Sequence, residues 1–197
     1  MKRLAAGVLT TALLVAACAS GPPEYAGVVR SPAPDVSAAT LPDVLAGGAP
    51  FRFVAPEDGL LIVHFGYTSC PDVCPTTMAN VRSALELLGD DAERVSVAFV
   101  TADPGRDSDD ILATYVGYFT DGGHGLRTDD PTELRAVADA FGADYSVTGT
   151  APYIEVEHTA DLYAVDDRGR IRLTWPFGTR WQDVASDLVA LLGEEKT

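Results

Sequence analysis

The chain has 197 residues, of which 29 are acidic and 14 are lysine or arginine, so its formal net charge is −15, and 47% of the residues are hydrophobic. These values exclude a disordered chain, a multi-pass membrane protein and a nucleic-acid binder that relies on bulk positive charge. The length suits one globular domain, and three cysteines are too few for a disulfide scaffold.

The N-terminus carries the pattern of a secretory signal over residues 1–17. Lys2 and Arg3 precede an uncharged apolar run that is shorter than the roughly 20 residues of a membrane span. The run ends in Val15-Ala16-Ala17-Cys18, which resembles a bacterial lipobox. We therefore expect cleavage before Cys18 and a lipid on its thiol, which would place the protein at the extracytoplasmic face of a bacterial membrane. An ordinary signal cleavage nearby and an uncleaved anchor remain the alternatives.

Residues 18–40 are rich in alanine, serine, glycine and proline and contain few long apolar side chains. This composition is typical of a flexible tether between a lipid anchor and a folded domain. We therefore predict three segments, which are a signal peptide over 1–17, a membrane tether over 18–40 and a single domain over 41–197.

The first half of that domain predicts a βαβ unit. Leu60 to Tyr67 and Val95 to Thr101 are short, uncharged and continuously apolar, as in strands that are buried on both faces. Thr76 to Leu88, between them, has its apolar residues at helical spacing. A strand, a helix and a second strand in this order close onto a parallel sheet.

The second half predicts more helices and one hairpin. Asp107 or Ser108 is expected to cap the next helix. The further predicted elements are helices ending at Phe119, over Thr132 to Phe141 and over Trp181 to Leu192, and a hairpin of Thr159 to Val165 with Arg170 to Trp175. Together the elements predict an α/β fold, a thioredoxin-like three-layer sandwich with a central mixed sheet and a late β-hairpin.

The segment with the most chemical information contains Cys70 and Cys74, where the first predicted strand gives way to a helix. Residues four apart on a helix share one face, and their Cα atoms lie about 6 Å apart, within reach of a disulfide. A helix N-terminus also favours thiolate over thiol. The pair can therefore be a redox dithiol, a disulfide or two ligands of one soft metal ion; two structural thiols are the plainer alternative.

Two thiolates need a third ligand for most metal ions, and His158 is the candidate. Two sulfurs and an imidazole suit Cu(I), and they hold Cu(II) with an added ligand, although zinc accepts the same set. His64 lies within an apolar strand and is interpreted as a sheet histidine with a structural partner. His124 stands between two glycines and is interpreted as part of a solvated loop.

The motifs around these residues resemble the Sco/SenC family, thioredoxin-fold copper proteins that are needed for cytochrome c oxidase assembly. The matching segments are Phe65-Gly66-Tyr67-Thr68, Cys70-Pro71-Asp72-Val73-Cys74-Pro75, Val100-Thr101-Ala102-Asp103-Pro104, Arg106-Asp107 and Glu157-His158-Thr159. The resemblance implies that Cys70 and Cys74 are thiolate ligands and a redox pair, and that His158 is the imidazole ligand. Two departures, Glu157 for the common aspartate and Ala102 for valine, remove no ligand.

The resemblance implies a membrane-tethered copper chaperone that metallates the dinuclear copper centre of cytochrome c oxidase subunit II. Its partners would be that subunit, a copper donor and a thiol reductant, with no nucleic acid involved. The alternative is an enzyme, a thiol–disulfide reductase that keeps the target's copper-binding cysteines reduced. A thioredoxin-fold peroxidase is a third and weaker alternative. Only the chaperone gives His158 an essential role.

Overall fold

The computed structural model describes residues 24–194. The predicted signal peptide over 1–17, the predicted lipidation site Cys18 and the start of the predicted tether lie outside the described residues. Within residues 24–194, no helix combines the length and the apolar character that a membrane crossing requires.

Ten strands and four α-helices make up the described part of the chain. The strands are β1 (Val28–Val29), β2 (Thr40–Asp43), β3 (Ala49–Arg52), β4 (Leu60–Gly66), β5 (Val95–Thr101), β6 (His124–Leu126), β7 (Tyr145–Thr150), β8 (Tyr153–His158), β9 (Leu162–Val165) and β10 (Ile171–Trp175). The helices are α1 (Val73–Leu88), α2 (Asp109–Phe119), α3 (Pro131–Phe141) and α4 (Trp181–Glu194).

Eight strands form one central sheet in the order β1-β10-β9-β4-β5-β6-β2-β3. At its centre β4 pairs with β5 in parallel and with β9 in antiparallel orientation, so the sheet is mixed, as predicted. All seven residues of β4 are buried. That burial is the physical reason for the unbroken apolar run in the sequence, because a central strand covered on both faces has no polar side.

Helices cover both faces of this sheet and complete three layers. Apolar side chains of α1, α2 and α4 pack against one face, where Leu60, Ile62 and Phe99 lie. The opposite face, with Leu61 and Val63, packs against α3. Because β4 and β5 are parallel, their carboxyl ends meet at the same edge of the sheet, which is where open α/β sheets usually carry their sites.

The predicted late hairpin is present as β9 and β10, joined through the turn at 166–169. Asp166 accepts hydrogen bonds from the backbone N–H groups of Arg168 and Arg170, and Gly169 has the positive φ of 74° that the turn requires. A second hairpin, β7 with β8, forms a separate two-stranded sheet that the sequence analysis did not predict. His158 is the last residue of β8.

Packing against the domain begins ahead of Leu41, the position where the sequence predicts the domain to start. The backbone N–H of Gly27 donates to Asp187 Oδ2 at 2.8 Å, and the indole of Trp175 donates to the same oxygen at 2.7 Å. Val36 is fully buried. The segment that contains Gly27 and Val36 therefore contacts the domain at these two positions.

The prediction of a solvated loop at His124 is wrong. His124 begins β6, and its Nδ1 lies 2.7 Å from Oδ2 of the buried Asp43. Asp43 also accepts the backbone N–H groups of Leu45 and Gly125. The imidazole therefore has a structural partner far along the chain, which the two flanking glycines did not reveal.

Candidate metal centre

The two cysteines lie in the connection between β4 and α1, at the carboxyl edge of the sheet. The carbonyl of Gly66, the last residue of β4, accepts the backbone N–H of Ala102 at 2.7 Å, which extends the ladder to the next strand. The N–H of Cys70 then donates to the carbonyl of Tyr67 at 3.2 Å and closes a tight turn. Helix α1 begins three residues later, so Cys74 lies in its first turn.

The buried carboxylate of Asp107 holds this connection in place through hydrogen bonds. It accepts the backbone N–H of Thr68 at 2.9 Å and the hydroxyls of Thr68 and Thr101 at 2.6 Å each. The sequence predicts Asp107 or Ser108 as a helix cap, but Ser108 makes no side-chain capping bond and the carboxylate of Asp107 joins the ends of β4 and β5 instead. Asp107 thus stabilises the loop that carries the two cysteines. Sequence reasoning missed this role, although Asp107 lies within a matched family motif.

The thiols of Cys70 and Cys74 are both buried and both free, without a disulfide among the described residues. The backbone N–H of Cys74 donates to Cys70 Sγ at 3.4 Å. Cys70 therefore lies at the N-terminal end of α1, where unpaired backbone donors of the helix favour a thiolate.

The environments of the two sulfurs shift their acidities in opposite directions. Burial alone would raise the pKa of the Cys70 thiol, but the backbone N–H groups of Cys74 and Asp72 outweigh it, and the pKa falls below its ordinary value. Burial raises the pKa of Cys74, and the neighbouring sulfur of Cys70 adds to the effect. Cys70 is therefore the more nucleophilic sulfur of the apoprotein and Cys74 the one held as a thiol.

Gly66 leaves the space that the inner sulfur occupies. A Cβ atom on Gly66 would lie 2.7 Å from Cys74 Sγ and 3.0 Å from a ring carbon of Phe99. The first separation is shorter than real Cβ contacts and the second is tighter than most of them, so a side chain here would force the thiol or the strand to move. The conformation of Gly66 needs no positive φ; the requirement is for close approach alone.

The imidazole of His158 reaches the thiols from the end of the β7–β8 hairpin. Its Nε2 lies 3.4 Å from Cys74 Sγ, and its Nδ1 lies 3.1 Å from the carbonyl oxygen of Thr159. A carbonyl only accepts, so Nδ1 carries the proton and Nε2 presents a lone pair to the sulfur. The rings of Tyr67 and His64 flank His158, with centroid separations of 5.7 and 5.9 Å.

The structure thus brings together the three residues that the sequence singles out as ligands. Cys70 Sγ, Cys74 Sγ and a ring nitrogen of His158 all lie within 4.8 Å of one another. Metal–sulfur and metal–nitrogen bonds of about 2.3 and 2.0 Å place the donors of a shared ion about 3.5–4 Å apart. Small adjustments would therefore let the three atoms share one ion.

The cluster opens to solvent through a cavity of about 410 Å³. Tyr67, Pro71 and Asp72 line one side of it, and Val156 and Glu157 of the hairpin line the other. A larger cleft of about 940 Å³ lies between α1 and α2, and its lining includes no cysteine or histidine. The smaller opening is therefore the one through which a partner protein could approach the sulfurs.

His64 lies beneath the cluster with a structural partner, as the sequence analysis expected. Its Nδ1 is 3.1 Å from the carbonyl oxygen of Asp161, and the side chain is completely buried. That burial lowers the pKa of His64 from 6.5 to about 4, so the ring is neutral at pH 7. Nothing in the local sequence indicates that the rings of His64 and His158 stand side by side.

Comparison with known proteins shows which family and which folds this chain is similar to. The profile of the SCO1/SenC family matches residues 47–193. An SCO2-like protein of Rickettsia felis is 32% identical over 117 residues, which cover 58% of this chain and 57% of that protein. The chain spans little more than half the length of the curated relatives it matches.

Two solved structures have the same fold. The copper-bound ScoI of Bradyrhizobium japonicum has a TM-score of 0.65 and 28% identity, with 76% of this chain and 94% of that chain covered. The apo Sco1 of Thermus thermophilus has a TM-score of 0.69 and 29% identity, with 88% and 96% covered. These similarities confirm the predicted thioredoxin-like architecture with its central mixed sheet.

Proposed function

This chain belongs to the SCO1/SenC family, and on that premise we propose that it binds one copper ion through Cys70, Cys74 and His158. The observation that carries the proposal is the mutual approach of the two sulfurs and the His158 nitrogen within 4.8 Å. The similar ScoI of Bradyrhizobium japonicum was solved with copper bound, which supports the choice of metal.

The donor set favours copper over a structural zinc ion. Structural zinc sites hold four protein ligands close around the ion, whereas three donor atoms of the described residues already lie within 4.8 Å of one another here. Two thiolates and one imidazole satisfy Cu(I), which accepts soft donors and low coordination numbers. A three-coordinate ion beside an open cavity also keeps room for an incoming ligand.

We propose that the bound copper is cargo for cytochrome c oxidase assembly. In this function a lipid on Cys18 would hold the protein at the extracytoplasmic face of the membrane, and the dinuclear copper centre of subunit II would receive the ion. Transfer proceeds by ligand exchange: a partner thiolate bonds to Cu(I), a bond to the protein's own ligand breaks, and the oxidation state is unchanged.

Copper binding is tested by anaerobic Cu(I) titration of the reduced protein against a competing chelator. We expect one tightly bound ion. His158→Ala should lose at least the roughly 10–100-fold in affinity that follows removal of a ligand's hydrogen-bond partner, because it removes the ligand itself. His124→Ala is the matched control, because His124 bonds to Asp43 outside the cluster. Binding that is indifferent to His158 would contradict the three-ligand site.

The target and the anchor need separate experiments. Two equivalents of the Cu(I)-loaded protein are incubated with the soluble domain of subunit II, and an added one-electron oxidant such as ferricyanide then removes one electron from the filled centre. The absorption of the dinuclear centre should appear, and His158→Ala should slow its formation. Cys18→Ala should abolish acylation and release the protein from the membrane fraction. An acylated, membrane-held Cys18→Ala variant would contradict the lipidation site.

A thiol–disulfide reductase is the second candidate, and the opposite pKa shifts of the two free thiols favour it. The thiolate of Cys70 would attack a substrate disulfide and release one substrate thiolate. Cys74, losing its proton, would then attack the mixed disulfide, so two electrons pass to the substrate and Cys70 and Cys74 become a disulfide. A separate thiol reductant would restore the dithiol.

The two candidates differ in what each cysteine does alone. For the reductase, Cys74→Ser should trap a mixed disulfide on Cys70, while Cys70→Ser should trap none, as measured by mass spectrometry with a disulfide form of the subunit II domain. His158→Ala should leave this trapping intact. Equal trapping by both cysteine variants would contradict the assigned order of attack.

A further inference from the structure

His64 is a second imidazole next to the proposed copper site, and it differs from the other buried residues of β4. It is the one ionisable side chain of the strand, and it is completely buried. Its ring lies 5.9 Å from the ring of His158 and 5.7 Å from that of Phe99, centroid to centroid. The side chain therefore lies between the core and a metal-binding residue.

The hydrogen bonds identify which nitrogen of each imidazole is unprotonated. Nδ1 of His64 bonds to the carbonyl of Asp161, and Nδ1 of His158 bonds to the carbonyl of Thr159. Both nitrogens must donate, because a carbonyl oxygen only accepts. Both Nε2 atoms consequently carry a lone pair, and two carbonyls of one short segment, 159–161, hold the two rings in the same tautomer.

The Nε2 atom of His64 has no hydrogen-bond partner among residues 24–194, although it is buried. An unpaired buried acceptor carries an uncompensated desolvation cost, whereas a phenyl ring of similar size would carry none at this position. A purely structural role in the core therefore accounts for Nδ1 but not for Nε2. A bound metal ion in one state of the site does account for it.

We propose that His64 Nε2 is a fourth protein ligand when the site holds Cu(II), joining Cys70, Cys74 and His158. This inference rests on the proposed copper function. Cu(I) is satisfied by three soft donors, but Cu(II) prefers four ligands in a tetragonal arrangement, and imidazole is one of its preferred donors. His64 lies outside the trio whose donor atoms are mutually within 4.8 Å. The three-ligand and four-ligand forms are thus two states of one site, related by a shift of the ion or the ring.

The proposal is tested by counting imidazoles on the ion with pulsed EPR. The reduced protein is mixed anaerobically with one equivalent of Cu(II) and frozen at once, and the modulation from the remote imidazole nitrogens is recorded. We expect two coordinated imidazoles in the wild type and one in His158→Ala. His158 ends an exposed hairpin, so that variant should remain folded.

His64→Asn sharpens the assignment, because an asparagine amide takes the place of Nδ1 and can still donate to Asp161 while Nε2 is lost. We expect one coordinated imidazole and a Cu(II) dissociation constant raised about tenfold or more, with that of Cu(I) changed less than about threefold. His124→Asn is the control and should keep two imidazoles.

The outcomes separate this inference from the proposed function. A single imidazole in the wild type overturns the role of His64 and leaves the three-ligand site intact, whether or not His64→Asn folds. An equal loss of Cu(I) and Cu(II) affinity in a folded His64→Asn protein also overturns it, because His64 would then act only by positioning His158. Failure of the wild type to bind copper in either state overturns the proposed function, and this inference with it.

Discussion

The candidate metal centre joins two regions that differ strongly in burial. Its thiols belong to the β4–α1 connection, where all of β4 is buried and the Asp107 carboxylate fixes the loop with three hydrogen bonds. Its imidazole belongs to the β7–β8 hairpin, which pairs with no other strand within residues 24–194. In that hairpin Tyr153 is 82% exposed and Val147 is 45% exposed.

The hairpin is fastened to the domain at its base. Asp144 and Thr159 exchange two hydrogen bonds there, and Arg135 of α3 donates to Asp144 and to the carbonyl of Tyr145. From this difference in burial we expect two ligands to be held in place by the fold before any metal arrives, and the third to be the more easily displaced. Local opening with little cost in global stability is expected of the hairpin and not of the thiol loop.

The first prediction concerns the β4–α1 connection, and it has the largest expected effect on the free energy of unfolding. Asp107→Ala leaves the N–H of Thr68 and the hydroxyls of Thr68 and Thr101 without their acceptor. We expect the free energy of unfolding to fall by about 3–4 kcal/mol, because each buried unpaired donor carries its own cost. Urea denaturation measures it. Asp129→Ala, which removes an exposed carboxylate bound to Arg127, should change stability by less than about 0.5 kcal/mol.

The second prediction concerns His64, which lies where the two regions meet. Its pKa is about 4 in the folded apoprotein and about 6.5 when unfolded, so between those values the unfolded chain binds the extra proton. Stability attributable to His64 is therefore complete above pH 6.5 and declines as the pH falls toward 4, by about 3 kcal/mol in all. Unfolding measured at pH 7, 5.5 and 4.5 should show the loss, and His64→Phe should remove it.

The control for that pH series is His124→Gln, in which the acid-side loss from His64 should persist. An unchanged pH dependence in a folded His64→Phe protein would show that other groups cause the loss. The apoprotein is used throughout, so that metal binding does not add its own pH dependence.

Sequence reasoning found the more buried region because burial on both faces leaves an unbroken apolar run. The predicted bounds Val95 to Thr101 are those of β5, and the predicted end of α1 at Leu88 is the observed one. The motif around Cys70 and Cys74 then fell at the carboxyl end of β4, where the fold places its site. Long-range partners were less visible: nothing local shows that Asp107 bonds to Thr68, which lies 39 residues earlier.

The β7–β8 hairpin was missed because exposed strands bury few side chains and leave a weak sequence pattern. Residues of β7 are exposed along nearly the whole strand. The alternation Ile154, Val156, His158 does place three partly buried side chains on one face of β8, and it was the signal that could have found the hairpin. The short strands β1 to β3 escaped notice for a similar reason, since two to four residues do not establish a period.

The third prediction perturbs the last residue of β4, which lies next to the metal centre. In Gly66→Ala the new methyl group would lie 2.7 Å from Cys74 Sγ, so the sulfur or the strand must move. We expect a loss of about 1–3 kcal/mol in unfolding free energy, as for overpacked cores, together with weaker Cu(I) binding in the chelator competition.

Gly117→Ala is the matched control, because nothing lies within 4 Å of its Cβ position and a helix interior favours alanine. Unaltered copper affinity in Gly66→Ala would show that the position of Cys74 Sγ is not critical.

The fourth prediction concerns the base of the β7–β8 hairpin and has the smallest expected effect on stability. Arg135→Ala removes the donors to Asp144 and the Tyr145 carbonyl, and also a guanidinium that lies 4.0 Å from the Tyr145 ring centroid. Because these contacts lie near the surface, we expect the unfolding free energy to change by less than about 1 kcal/mol. Amide hydrogen exchange in β7 and β8 should nevertheless accelerate, and Cu(I) affinity should fall several-fold, since His158 then samples positions away from the sulfurs.

Arg82→Ala, which loses an exposed ion pair to Glu86 on α1, serves as the control and should alter neither the hydrogen exchange nor the Cu(I) affinity. If Arg135→Ala instead destabilised the whole domain as much as Asp107→Ala, the hairpin would be part of the cooperative core, and the contrast between a fixed pair of thiols and a movable imidazole would be wrong.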